Sequence, residues 1–214
     1  MKAWHLLFGL SLVGMSTTYG IQYLYFTESL MQQTFGGQLA YDRIGSLFAL
    51  SKKWQWVGYA LIPIVILIRS VFTSLFLYTG LFLYNLPLRL GHLFQSALLA
   101  DFVFAVSGLA KLAILVFFKQ VETLNDLQFQ PLSLIDTMDI TAIDRLFHYP
   151  LSLINLFEIL YIAALILLVR RLLLVHHPNS WNGLGVPIKM VTLSYGSGLL
   201  LWTLLVMFAT LNLS

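Results

Sequence analysis

Residues 151–169 read LSLINLFEILYIAALILLV and are closed by Arg170-Arg171. At about 1.5 Å per residue such a stretch makes a helix of roughly 28 Å, the thickness of a bilayer's hydrocarbon core. One charge, Glu158, interrupts it. Pro150 stands at its start, where a missing N–H costs nothing because the first turn has no partner for it. The arginine pair stands at its end, where long cationic side chains reach lipid phosphate and water. A chain built around this segment folds in lipid.

Most of the sequence repeats the pattern. Of 214 residues 59% are hydrophobic and only 10% charged, with a mean hydropathy of +0.84. A soluble domain carries about 25% charge because its surface must face water. With no cysteine, disulfides, thiolate metal sites and thiol chemistry are excluded. The net charge of +3, without a basic run, gives no reason to expect a nucleic-acid partner. The expected partners are the lipid bilayer and other membrane proteins, or a second copy of the chain.

Five apolar runs are long enough to span: 4–26, 70–86, 94–118, 151–170 and 190–211. The first follows Lys2 and has a small-x-small step at Gly14-Met15-Ser16, like a secretory signal. Its apolar and aromatic residues continue through Ile21 to Phe26, which favours an uncleaved helix. From Tyr41, apolar residues at 44, 47, 48 and 50 followed by Lys52-Lys53 predict a short amphipathic helix on the membrane surface. Residues 54–86 would overshoot the bilayer as one helix. Pro63 and Arg69 divide them into an oblique or interfacial 54–68 and a spanning 70–86, one kinked helix being the alternative. The expected fold is therefore all-α, a single polytopic transmembrane helical bundle with one or two interfacial helices.

The polar connection 120–149 is acidic. In it Leu132, Ile135, Met138 (or Asp139) and Ala142 fall near one face, predicting a second short amphipathic helix. His176-His177-Pro178-Asn179, Gly183, Gly185 and Pro187 mark a loop. Cationic residues divide evenly between the two faces. Arg170, Arg171 and Lys189 bracket one short loop, however, which favours an N-terminus inside a bacterial cytoplasmic membrane.

Buried ionisable groups are the first functional suspects in such a chain, because burial in lipid costs at least about 2.5 kcal/mol per charge. They are Arg69, Asp101, Lys111 and Glu158. Asp101 and Lys111 are too far apart along one helix to pair, so the pairs expected are Arg69 with Asp101 or Glu158, and Lys111 with Glu158. Asn155 and Tyr161 share the Glu158 face. These pairs either fix helix register or line a hydrated path for a proton, ion or solute. In the last span, Thr192-xxx-Gly196 and Ser194-xxx-Gly198 would let another helix approach closely. The histidines show no HExxH or His-x-x-x-His spacing. A metal site would have to come from His148, Asp144 and Asp139. No cofactor is implied.

From Arg69 onward the order of features resembles the bacterial branch of the Yip (Ypt/Rab-interacting protein) family of five-span membrane proteins. A span with Thr79-Gly80 precedes LRLGHLFQSALLADFVFAVSGLAKLAIL, then a polar loop, HYPLSLINLFEILYIAALIL, a basic loop and a Ser/Gly-containing span. The resemblance implies an N-inside, C-outside bundle. The usual soluble N-terminal region is replaced by an apolar segment, so a GTPase-binding role gains no support. Two functions follow as expectations: a non-enzymatic scaffold or accessory subunit, or a small transporter or channel.

Overall fold

Long apolar runs with few turn signals leave the backbone only one way to satisfy its polar groups in lipid, the α-helix. The computed structural model describes residues 3–86, 88–138, 143–176 and 183–213. Readings that fall on Lys2, Pro87, Asp139, Ala142 and His177-Pro178-Asn179 lie outside these described residues. The helices are α1 (Ala3–Tyr25), α2 (Glu28–Phe35), α3 (Tyr41–Leu83), α4 (Leu90–Ala100), α5 (Phe102–Phe117), α6 (Arg145–Leu153), α7 (Leu156–His176) and α8 (Gly185–Leu213). Four stretches are long and apolar enough to cross a membrane: α3, α4 with α5, α7 and α8. Helix α1 has the length, but His5, Ser11, Ser16, Thr17 and Gln22 dilute it below the others in hydropathy. Large apolar side chains point outward, among them Phe82 at 77% exposure and Phe208 at 67%. That surface suits lipid and not water. The chain is an all-α membrane bundle.

The largest correction concerns α3. Residues 41–53 are not a separate surface helix, and 54–68 do not part from 70–86. One helix of 43 residues, about 65 Å long, runs through both Pro63 and Arg69. Pro63 removes one hydrogen bond, to the Tyr59 carbonyl, while the apolar residues on either side keep the helix going. Arg69 does not break it either, because it finds a carboxylate on α5's threshold.

Helix α3 serves two sets of neighbours. Its first half packs antiparallel to α1: Gly14 faces Ile62, and Gln22 bonds both Gln55 and Tyr59. Its second half packs antiparallel to α8, with Gly80 against Ser194, Gly198 against Phe76, and the rings of Phe72 and Trp202 5.8 Å apart. Helix α1 runs parallel to α5, where the Tyr25 hydroxyl donates to the Leu115 carbonyl at 2.7 Å. The main core lies among α3, α4, α7 and α8, with Leu77, Leu93, Tyr161, Leu165 and Val169 all fully buried.

Other boundaries shift for local reasons. The predicted span 94–118 begins at Leu90 and tightens by one turn at Asp101. The predicted span 151–170 starts later, because Arg145–Leu153 forms α6 with Pro150 inside it. The Asn155 side chain then accepts the Glu158 N–H at 2.7 Å and opens a new helix. That helix runs past Arg170-Arg171 to His176. The last span starts at Gly185, with Pro187 in its first turn. No amphipathic helix forms over Leu132, Ile135 and Met138. One 3₁₀ turn, Ile135–Thr137, lies in that stretch and another, Leu124–Gln128, precedes it, while Leu132 adopts φ 59°. This segment is pinned by Leu134 N–H to Ile154 O (2.9 Å) and Leu156 N–H to Leu132 O (3.2 Å), which spends backbone groups a helix would need.

Candidate functional site

The polar stripe of α3 places Ser70, Thr73 and Ser74 near Arg69 on buried positions of the helix, from which Ser70 reaches the α4–α5 junction and Thr73 reaches α7. Opposite them, at the α4–α5 junction, stands Asp101, whose side chain is wholly buried. Arg69 Nε lies 3.0 Å from Asp101 Oδ1, close enough for an ion pair though not aligned as a hydrogen bond. The Ser70 hydroxyl donates to the other carboxylate oxygen at 2.6 Å. The guanidinium lies over the Phe104 ring, 4.1 Å from its centroid, a cation–π contact available where water is excluded.

Glu158 is one turn into α7. The Tyr195 hydroxyl of α8 donates to Glu158 Oε1 at 2.7 Å. Tyr161, one turn further, shares a 3.1 Å hydrogen bond with Thr73, and its ring packs against Phe104 and Tyr195 at 4.8 and 5.4 Å. Of the sequence candidates, Arg69, Asp101, Glu158, Asn155 and Tyr161 come together.

Lys111 stays away. It faces the loop and reaches over Phe129, 5.5 Å from the ring centroid, so the pair with Glu158 is not formed. Asn155 is a cap and not a helical member of a stripe.

Arg69, Thr73, Asn155, Glu158, Tyr195 and Trp202 border a cavity of about 360 Å³, and Asp101 and Tyr161 stand behind its wall. It adjoins a larger cavity of about 1260 Å³ under the 119–152 connection, the two sharing Gln130, Tyr149 and Ser152. The Trp202 indole N–H donates to the Tyr149 hydroxyl at 2.7 Å at that boundary. On its other side Arg69 borders a third, mostly apolar cavity of about 330 Å³ between α1, α3 and α5. Sequence reasoning missed Ser70, Thr73, Tyr149, Tyr195 and Trp202. The spacing of Ser70, Thr73, Ser74, Leu77 and Gly80, one helical face, was the available signal for the first two.

The connection above the cavity has its own electrostatics. Burial pushes the Asp126 carboxyl up, but hydrogen bonds from the Thr123 N–H (2.8 Å), the Thr123 hydroxyl (2.9 Å) and the Glu122 N–H (3.2 Å) outweigh it. With Lys119 close by, they hold Asp126 below the usual carboxylate range.

Of the metal arrangement weighed from the sequence, Asp139 lies outside the described residues, and the other two members are engaged elsewhere. Asp144 caps α6 through the Leu146 N–H at 2.9 Å, and His148 contacts the Ile143 carbonyl at 3.1 Å. Among the described residues no group of three His, Asp or Glu could hold a metal. The small residues of α8 divide in two. Ser194 and Gly198 are buried against α3, whereas Thr192 is exposed and nothing lies within 4 Å of a Cβ built on Gly196.

Comparison with protein-family models, with curated proteins and with solved structures returns no match. Fold and site therefore define a class and no closer kin: an α-helical membrane bundle with a charge-lined cavity inside it.

Proposed function

We propose that this non-enzymatic membrane protein admits a small polar solute to the cavity bordered by Arg69 and Glu158, in the manner of a small transporter or channel. The observation that supports it most is convergence. Two of the four intramembrane charges, Arg69 of α3 and Glu158 of α7, line one cavity that adjoins a larger one, and Asp101 at the α4–α5 junction pairs with Arg69 from outside that wall. Charges that only fixed helix register would be met in dry, separate pairs.

The scaffold reading rests on less. Its small-residue face on α8 is half used within the chain, by Ser194 and Gly198 against Gly80 and Phe76. Only Thr192 and Gly196 are left outside for a partner helix. A Yip-like kinship, an N-terminus inside and a bacterial inner membrane belong to the same proposal. They rest on the order of features and on Arg170, Arg171 and Lys189.

The test uses the cysteine-free background. Leu199→Cys, on the cavity wall, is expected to react with a charged, membrane-impermeant methanethiosulfonate reagent in proteoliposomes, and Ser152→Cys at the cavity boundary to react faster. Leu165→Cys, in the core at 0% exposure, is expected to stay unmodified. If Leu199→Cys were as inert as Leu165→Cys, the cavity would be dry and the transport reading would be lost.

A further inference from the structure

The guanidinium of Arg69 stands between two cavities of opposite character. On one side is the polar cavity, with Glu158 and the aromatic side chains of Phe72, Tyr149, Tyr195 and Trp202 in its wall. On the other is a groove formed by Leu10, Gly14, Gly58, Ile62, Val65 and Phe104. Leu61 and Val65 at the groove's rim are 48% and 57% exposed, so it opens on the outer, lipid-facing surface of the bundle.

Among the described residues, Asp101 is the only group paired with the Arg69 side chain by charge, and it engages the Nε edge alone. The side chain keeps 35% of its surface exposed. Its Nη edge is thus free at the junction of an apolar slot and a polar chamber. Glu158 has one oxygen, Oε1, held by Tyr195. No described group bonds Oε2, and the residue lines the chamber.

Charge complementarity selects the occupant. A purely anionic head would meet Arg69 but would also face Asp101 and Glu158, two carboxylates against one cation. A purely cationic molecule would meet Glu158 but leave the Nη edge of Arg69 without a partner. A zwitterion satisfies both, with its anionic oxygens on the Nη edge and its ammonium on Glu158 among aromatic rings, the surroundings that ammonium groups favour. The apolar groove beyond Arg69 adds a place for hydrocarbon, which gains from burial at about 25 cal/mol per Å² relative to water but competes evenly with bulk lipid. Selectivity must therefore come from the head.

We propose that the site binds a zwitterionic phospholipid, its phosphate on Arg69, its ammonium on Glu158, and one acyl chain in the groove between α1, α3 and α5. This rests on the reading of the polar cavity as open to polar groups, and it makes a phospholipid head group, in place of a free small solute, what enters it.

Native mass spectrometry of the full-length protein in detergent tests it. The probes are phosphatidylethanolamine and phosphatidylglycerol with the same brominated acyl chains, so that head group alone differs. One molecule of phosphatidylethanolamine per chain is expected to be retained at least tenfold more tightly than phosphatidylglycerol. Glu158→Gln still accepts the Tyr195 hydrogen bond, so it is expected to fold. It should bring the ratio close to one. Gly58→Leu, built where nothing lies within 4 Å of a Cβ, is expected to fill the groove and weaken phosphatidylethanolamine retention about tenfold.

Equal retention of both lipids by the native protein would overturn the head-group assignment. Undiminished retention by Gly58→Leu would overturn the placement of the chain. Thiol labelling of Leu199→Cys reads the open cavity independently. Failure of the lipid assignment with labelling intact leaves the solute reading standing, whereas loss of labelling removes both.

Discussion

Asp101 is the residue on which the charged cluster turns, because it holds both Arg69 and Ser70 from a fully buried position. Removing one member of a buried pair leaves the other charge uncompensated, at a cost of about 3 kcal/mol or more. The lower end applies here because a third of the Arg69 side chain is exposed. Asp101→Asn is therefore expected to lower unfolding stability in detergent by about 3 kcal/mol. Arg69→Met with Asp101→Leu is expected to recover most of that loss, since an apolar pair carries no desolvation penalty. Additive losses in the double variant would mean the two charges do not interact. At the loop, Asp126 gives a pH test with a definite sign. Its folded pKa is depressed, so its contribution is present above the ordinary carboxylate value of about 3.9 and is lost as pH falls through the lower folded value. Hydrogen exchange over residues 122–128 is expected to be slower in the native chain than in Asp126→Asn at pH 7, with the difference vanishing toward pH 2.

Between elements, the α3–α8 contact is set by the absence of side chains. A Cβ on Gly198 would lie 2.6 Å from the Phe76 ring, and one on Gly80 2.9 Å from Ser194. Gly198→Ala is expected to destabilise by about 1–3 kcal/mol through overpacking. Gly196→Ala, two residues away but facing outward, is expected to be neutral or to stabilise by up to about 1 kcal/mol through helix propensity. Equal effects of the two, in thermal unfolding, would contradict this register. Sequence spacing exposed both glycines as candidates for close packing, because a four-residue step is visible without knowing the partner. It did not tell which pair faced inward, since that depends on where α3 lies. The same limit explains α3 itself. Pro63 and Arg69 are local signals for a break, and both were outweighed by contacts 30 or more residues distant in sequence. Arg69 with Asp101 was one of two pairings the sequence allowed, whereas Tyr195 carried no signal until α8 was set against α7.

For the whole molecule, helix direction makes a prediction that needs no ligand. Helix α7 joins the connection above the cavity to the loop that leads into α8, so the two must lie on opposite faces if α7 spans. Asn125→Cys and Gly183→Cys are expected to label with an impermeant thiol reagent from opposite sides of sealed vesicles. Labelling from one side would remove α7 as a span.

Helix α3 has a further consequence for mechanics. One stiff rod belongs to both halves of the bundle, its first part clasped by α1 and α2 and its second by α4 and α8. Its weakest point is the turn at Pro63, where a rung of the backbone ladder is missing, and Gly58 lies just before it. The α1–α3–α5 groove lines that turn, with Gly58 and Ile62 in its wall. Flexing there would widen or pinch the groove while Arg69, one and a half turns on, moved with the other arm. A rod flexing in this way would be a lever with its fulcrum at the groove, and an occupant of the groove would bear on the angle between its arms.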